Sequence, residues 1–230
     1  MPSMNISRNL DLVFCIDGTG SMRPIMDDIK ENAIRLYSQL VEECYVHGAS
    51  VGALRVKVIT FRDYESEGED AIDESPFFEL PDDDDLFSEH LKSIVPGGGA
   101  GKGACGYEAL HYAMRGEFVH GPKDRQIIVL ITDTYPRPMP KRGRKGYYPE
   151  HMSKFEDLIN DWAGASQNPE ITLTPRGKRM VLFAPADSGY RDLATYMKGS
   201  IFQPVEKNKG LSDMDFSHIV RIVAASVGGQ

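Results

Sequence analysis

Two uninterrupted apolar runs constrain this chain more than any other feature. Leu12, Val13, Phe14, Cys15 and Ile16 end the first, and Ile127, Ile128, Val129, Leu130 and Ile131 form the body of the second. Neither alternates with polar residues. Strands of that kind are buried on both faces, as in parallel sheets covered by helices on each side. Helical spacing opens near Pro24 and runs to Gly48, with Ile25, Ile29, Ala33, Leu36, Leu40 and Cys44 on one stripe. The pattern then predicts a strand over 54–61, an acidic loop over 65–75 and a short edge strand over 77–80. A helix carrying Leu86, Phe87, His90, Leu91 and Ile94 follows the acid run 82–85, and another is expected over 108–114. After the second central strand, 126–132, comes a helix holding Phe155, Leu158, Ile159 and Trp162 behind a Ser153/Glu156 capping box. A strand over 179–184, a helix over 190–197, a strand over 200–205 and a last helix capped by Ser212 complete the order. Such alternation specifies a Rossmann-like, doubly wound α/β fold: a mostly parallel sheet, helices on both faces and one short antiparallel edge strand. At 230 residues it is expected to be one domain over 1–230, with a lead over 1–9 and a tail over 228–230.

Both apolar runs end in oxygen-bearing side chains. The first leads into Asp17-Gly18-Thr19-Gly20-Ser21, the second into Thr132-Asp133-Thr134. Ligands of open α/β sheets bind beyond the carboxyl ends of the strands. Asp17, Thr19 and Ser21 offer oxygen alone, which suits a hard cation such as Mg²⁺. A plainer role for Asp17 and Ser21 is to cap the first helix.

Asp-x-Thr-x-Ser after a first strand, with Met22 behind it, and Thr-Asp after a later strand resemble the metal-ion-dependent adhesion site of the von Willebrand factor A (VWA) family. That family's first loop is usually Asp-x-Ser-x-Ser. The resemblance covers most of the chain, because the order of strands and helices fits as well. It implies the VWA fold and a divalent cation (Mg²⁺, or Mn²⁺ or Ca²⁺) held by Asp17, Thr19, Ser21 and Asp133. It also implies an open position that a partner protein completes with an Asp or Glu. The chain is then a non-enzymatic, metal-dependent protein–protein interaction module. One departure matters. The family usually takes a further Thr or Asp from a middle loop, and the matching region here, 97–106, contains no Thr, Ser or Asp. Backbone carbonyls or waters fill that position, or the metal binds weakly. The form Asp-Gly-Thr-Gly-Ser-Met and the triplet Arg62-Asp63-Tyr64 further resemble stand-alone cytoplasmic bacterial VWA proteins of tellurite-resistance, stress or phage-defence systems. That implies a subunit or adaptor working beside partner enzymes.

The segment after Asp133 is rich in Pro and Gly and reads as a long loop. Thr134, Arg137, Lys141, Arg142, Arg144, Lys145, Tyr147 and Tyr148 are its candidate partner-binding residues. The expectation is a basic loop that steers an acidic partner segment toward the metal. The same cations over 137–145 offer contacts to phosphate on a nucleic acid or a phosphorylated partner. A formal net charge of −8 argues against general nucleic-acid binding. No apolar stretch reaches 18 residues, so no membrane span is expected. The first residues lack the basic and apolar regions of a signal peptide. Cys15, Cys44 and Cys105 are odd in number and widely spaced. Free thiols and a cytoplasmic location are therefore expected.

Enzyme chemistries from the same residues are weaker. A Mg²⁺-dependent phosphatase or a nucleotide-binding enzyme is the alternative. Gly101 to Gly106 matches G-x-G-x-x-G but follows a helix and Pro96 rather than a first strand, and Lys102 precedes Gly103 where a P-loop needs Ser or Thr. Haloacid-dehalogenase-type phosphatases carry Asp-x-Asp-Gly-Thr after their first strand, but here Cys15 stands in the nucleophile's place. Asp82 to Asp85 lack the Gly and Glu of an EF-hand and are expected to place favourable charge at a helix N-terminus.

Overall fold

The computed structural model describes residues 6–99, 103–139, 149, 152–166, 168–212 and 214–228. Strand β1 (Ile6–Asp17) leads through a 3-10 turn to helix α1 (Arg23–Asn32), then α2 (Leu36–Val46) and β2 (Ala49–Phe61). A short helix α3 (Tyr64–Glu67) precedes β3 (Ile72–Glu74), β4 (Phe78–Leu80), α4 (Asp84–Ser93) and α5 (Gly106–Met114). The second half runs β5 (Asp124–Ile131), α6 (Phe155–Ala163), β6 (Lys178–Pro185), α7 (Gly189–Tyr196), β7 (Ser200–Val205) and α8 (Phe216–Gly228).

Seven strands form one sheet in the order β3-β2-β1-β5-β6-β7, with β4 also on β2. β1, β2, β5, β6 and β7 are parallel. The expected short antiparallel edge strand is β4, and β3 continues the same border along the other end of β2. β7 forms the opposite border and carries Pro204.

The two apolar runs are the middle of the sheet. Leu10, Leu12, Phe14 and Ile16 of β1 join one buried cluster with residues of α1, α2, α4 and α8. Val13 and Cys15 face the other cluster, under α5, α6 and α7. Continuous apolar sequence is therefore what a strand with a core on each face requires. Chain order reverses between β1 and β5: β2 lies on one side of β1, and β5, β6 and β7 follow on the other. Asp17 ends β1 and Asp133 follows β5, so both stand at this switch point.

Several local expectations are corrected. The helix expected from Pro24 to Gly48 is interrupted by a 3-10 turn at Ala33–Arg35. Asn32 donates its side-chain amide to the Asp28 carbonyl and carboxylate, in competition with the helical backbone. The stretch 65–75 is not a loop. Asp63 caps α3 by accepting from Glu65 N at 3.1 Å, and β3 takes its hydrogen bonds from β2, a tertiary partner that local composition does not reveal. At α6 the reciprocal acid is Asp157 rather than Glu156. Its carboxylate accepts from Ser153 N, Ser153 Oγ and Lys154 N. At α8 the residue before the helix, Asp215, accepts from His218 N, and Asp28 accepts from Phe216 N, so Ser212 is not the cap. Asp82 to Asp85 behave as expected, with Asp84 and Asp85 in the first turn of α4.

Phe14 is 3 % exposed and its ring lies 6.4 Å from that of Phe216. Phe14→Ala should lower the free energy of unfolding by about 3–5 kcal/mol, read from urea denaturation, because the site opens a cavity beneath α8.

Candidate metal centre

The two oxygen-bearing turns meet. Asp17 and Asp133 are each 0 % exposed, the deepest carboxylates that a cleft between strand ends can offer. Asp17 Oδ1 accepts from Thr19 N at 2.8 Å. Its Oδ2 accepts from Thr132 Oγ1 at 2.6 Å and Thr134 Oγ1 at 2.9 Å. Asp133 Oδ1 accepts from Ser21 Oγ at 2.8 Å and Oδ2 from Gly210 N at 2.7 Å. Thr19 Oγ1 and Ser21 Oγ lie 3.4 Å apart. Asp17, Thr19, Ser21 and Asp133, singled out from the sequence as metal ligands, thus form one connected oxygen cluster.

The electrostatics are unbalanced. Burial pushes the Asp17 carboxyl above its ordinary range, while hydrogen bonds from Thr132, Thr19 and Thr134 pull it back toward the anion. Neither Asp17 nor Asp133 is paired with a cationic side chain among the described residues. No three His, Cys, Asp or Glu side chains gather to hold a metal ion among the described residues. The cluster here is of another kind, two carboxylates with hydroxyls between them.

Two glycines let backbone come close. Gly99 has φ +81°, and a Cβ there would lie 2.9 Å from Thr19 Cγ2. Gly210 has φ +59°, and a Cβ there would lie 2.3 Å from the Ser21 carbonyl oxygen. The glycine loop is joined to the first turn by Gly97 N donating to Gly18 O at 2.9 Å. Its described residues bring backbone, not side-chain oxygens, to the cluster; Ala100 to Lys102 lie outside the described residues. Two contributors had no assigned role from the sequence. Thr132 was visible in the Thr-Asp-Thr triplet but not assigned as a holder of Asp17. Gly210 carries no motif, and its contact arises only because the turn after β7 folds back over Asp133, where Asn208 N also donates to Asp133 O.

The candidate partner residues divide. Thr134 is half-buried with its hydroxyl committed to Asp17. Arg137 is corrected from a free steering cation to a strut: its guanidinium pairs with Asp63, through Nε at 3.0 Å from Oδ1 and through Nη2, and with Glu65 at 3.3 Å. The Asp63 carboxylate beside it raises the guanidinium's already high pKa. Lys141, Arg142, Arg144, Lys145, Tyr147 and Tyr148 lie outside the described residues. The triplet Arg62-Asp63-Tyr64 ties the site's loops together. Arg62 O accepts from Cys105 N, Arg62 Nη2 donates to Val95 O, and Tyr64 N donates to Cys105 Sγ. All three cysteines are buried and unpaired. Cys15 lies beneath α5, its thiol 3.7 Å from Ala109 O and pushed far up by burial.

Glu108, in the first turn of α5, is 1 % exposed and neither carboxylate oxygen has a hydrogen-bond partner among the described residues. Burial raises it from 4.5 to about 7, with Asp63 adding to the rise. A raised acid favours the folded state only while protonated, so its cost to folding builds between about pH 4.5 and 7 and is complete above that window. Glu108→Gln should therefore raise the urea midpoint at pH 8 and leave it nearly unchanged at pH 4.

No family model and no curated protein matches the chain. Solved structures do. The pilus adhesin SpaC from Lactobacillus rhamnosus GG aligns over 96 % of this chain and 31 % of its own, with a TM-score of 0.56 and 10 % identity. Its open conformation gives 0.57 and 8 % over 96 % of this chain and 30 % of its own. Proximal thread matrix protein 1 from the mussel byssus gives 0.50 and 13 % over 96 % of this chain and 49 % of its own. The chain spans about a third of the adhesin's length. At these identities the likeness shows the fold. No helix among the described residues is long and apolar enough to cross a membrane.

Proposed function

We propose that the chain is a divalent-cation-dependent protein-binding module of VWA type, with Asp17, Thr19, Ser21 and Asp133 as its ligand set. The observation that carries this reading is the pair of fully buried carboxylates with no cationic side chain against either among the described residues. Buried charge is ordinarily paired or bound to metal. The donors are oxygen throughout, which fits Mg²⁺, Mn²⁺ or Ca²⁺. When bound, such a cation supplies an electrophilic position that a partner's Asp or Glu completes. The chain's own part is preorganisation. Thr132, Thr134 and the amides of Thr19 and Gly210 hold the carboxylates, while Ser21 and the exposed Gly20 stand at the surface. With no side-chain oxygen in the middle loop, affinity for the cation is weak and water or backbone completes its shell. The cations of 141–145 with Tyr147 and Tyr148 would draw in an acidic partner segment, a residue mixture suited to interfaces. A cytoplasmic adaptor of a bacterial stress or defence complex is the setting that the sequence resemblance favours.

Thermal unfolding tests the site. Millimolar Mg²⁺ or Mn²⁺ should raise the melting temperature above that in EDTA, since a ligand of the folded state alone stabilises it. Asp133→Ala should lose that rise. Equal melting temperatures for the wild type in metal and in EDTA would overturn the assignment.

The protein alone should hydrolyse neither ATP nor phosphomonoesters in Mg²⁺, measured by phosphate release. Turnover that disappears in Asp17→Ala would replace the binding module with an enzyme.

A further inference from the structure

Helices α5 and α7 open on the same dipeptide, Gly106-Tyr107 and Gly189-Tyr190. The two starts interlock. A Cβ on Gly106 would lie 2.0 Å from Tyr190 Oη, and a Cβ on Gly189 would lie 2.2 Å from Tyr107 Oη. Neither residue has φ in the left-handed region, so each glycine supplies room rather than a turn. The two rings meet edge to face, with centroids 5.3 Å apart. Each tyrosine hydroxyl thus reaches the first residue of the other helix, where backbone N–H groups have no helical acceptor.

The two hydroxyls differ in what they face. Tyr190 is 0 % exposed, and its hydroxyl has no hydrogen-bond partner among the described residues. A buried hydroxyl of that kind calls for an explanation. Burial first, and then the charges of Tyr107, Asp17, Glu108 and Cys105, hold it well above the usual phenol range. Tyr107 is raised by burial and then by Asp192 and Glu108. Strand parity accounts for the closeness of Tyr190 to Asp17. Val13 and Cys15 of β1 face the apolar cluster that contains Tyr190, and Asp17, two residues on, continues that side of the strand. The start of α7 also adjoins the segment leaving β5. A Cβ on Gly189 would lie 3.6 Å from Pro136 Cγ, two residues after Thr134, whose hydroxyl bonds Asp17.

We propose that Tyr190 is a positioning residue of the cation site, its hydroxyl oxygen accepting a hydrogen bond from a water of the cation's shell. That water stands where the middle loop, 97–106, supplies no side-chain oxygen. The role rests on the cation reading given above. Hard cations keep some of their waters, and an acceptor behind such a water fixes its place. The ring of Tyr190 is set beforehand against Gly106 and Tyr107, so little side-chain freedom is lost when the hydroxyl engages.

The experiment titrates Mn²⁺ into the wild type, Tyr190→Phe and Tyr107→Phe, reading the free ion by electron paramagnetic resonance, and melts each protein in EDTA. Tyr190→Phe should weaken Mn²⁺ binding by about 3–10-fold. In EDTA it should melt no lower than the wild type, because it removes no hydrogen bond to a described residue. Tyr107→Phe should keep the wild-type affinity. A merely structural role for Tyr190 would lower the midpoint in EDTA and leave Mn²⁺ affinity alone. Wild-type affinity in Tyr190→Phe, an equal loss in Tyr107→Phe, or a loss that comes with a lower midpoint in EDTA would overturn the role while leaving the cation site in place. A wild type that takes up no Mn²⁺ would instead overturn the cation reading, and the role of Tyr190 with it.

Discussion

Two carboxylates buried side by side set the terms for everything around them. Asp17 and Asp133 close adjacent central strands, and neither reaches solvent. Burying even one such charge is expensive unless its oxygens are bonded. The surrounding loops accordingly converge as donors. The first turn gives Thr19 N, the turn after β5 gives Thr132 and Thr134, and the turn after β7 gives Gly210 N. Glycine occurs where those turns must pass within contact distance of each other, at Gly99 against Thr19 and at Gly210 against Ser21. The Asp63–Arg137 pair then fastens the turn after β2 to the segment leaving Asp133.

The sheet also separates charge along its strands. Asp17 and Arg8 are at the two ends of β1. α1, α5 and α7 start at the carboxylate end of the strands and bring positive helix N-termini toward it, whereas α4 runs the other way, from beside Leu80 at the foot of β2 to the neighbourhood of Arg62.

Most of the scaffold was legible because burial on both faces leaves a signature. The runs ending in Ile16 and Ile131 admit few readings other than central parallel strands, and 200–205 matched β7. The ligand-type residues were legible for the same reason: they follow those runs directly. What sequence could not supply were features decided by distant partners. β3 exists because β2 offers it an edge, Gly210 matters because a later turn folds over Asp133, and Arg137 is a strut because Asp63 lies beside it. Within the acid-rich stretch 65–75, composition argued for solvent exposure while the local cap at Asp63 started a helix.

The borders of the sheet have a consequence for assembly. On one side β2 is covered by two three-residue strands, and on the other β7 places Pro204, which has no N–H to donate. Short edges and an edge proline both discourage another strand from adding on. Copies of this chain can therefore crowd together without zipping into a continuous ribbon.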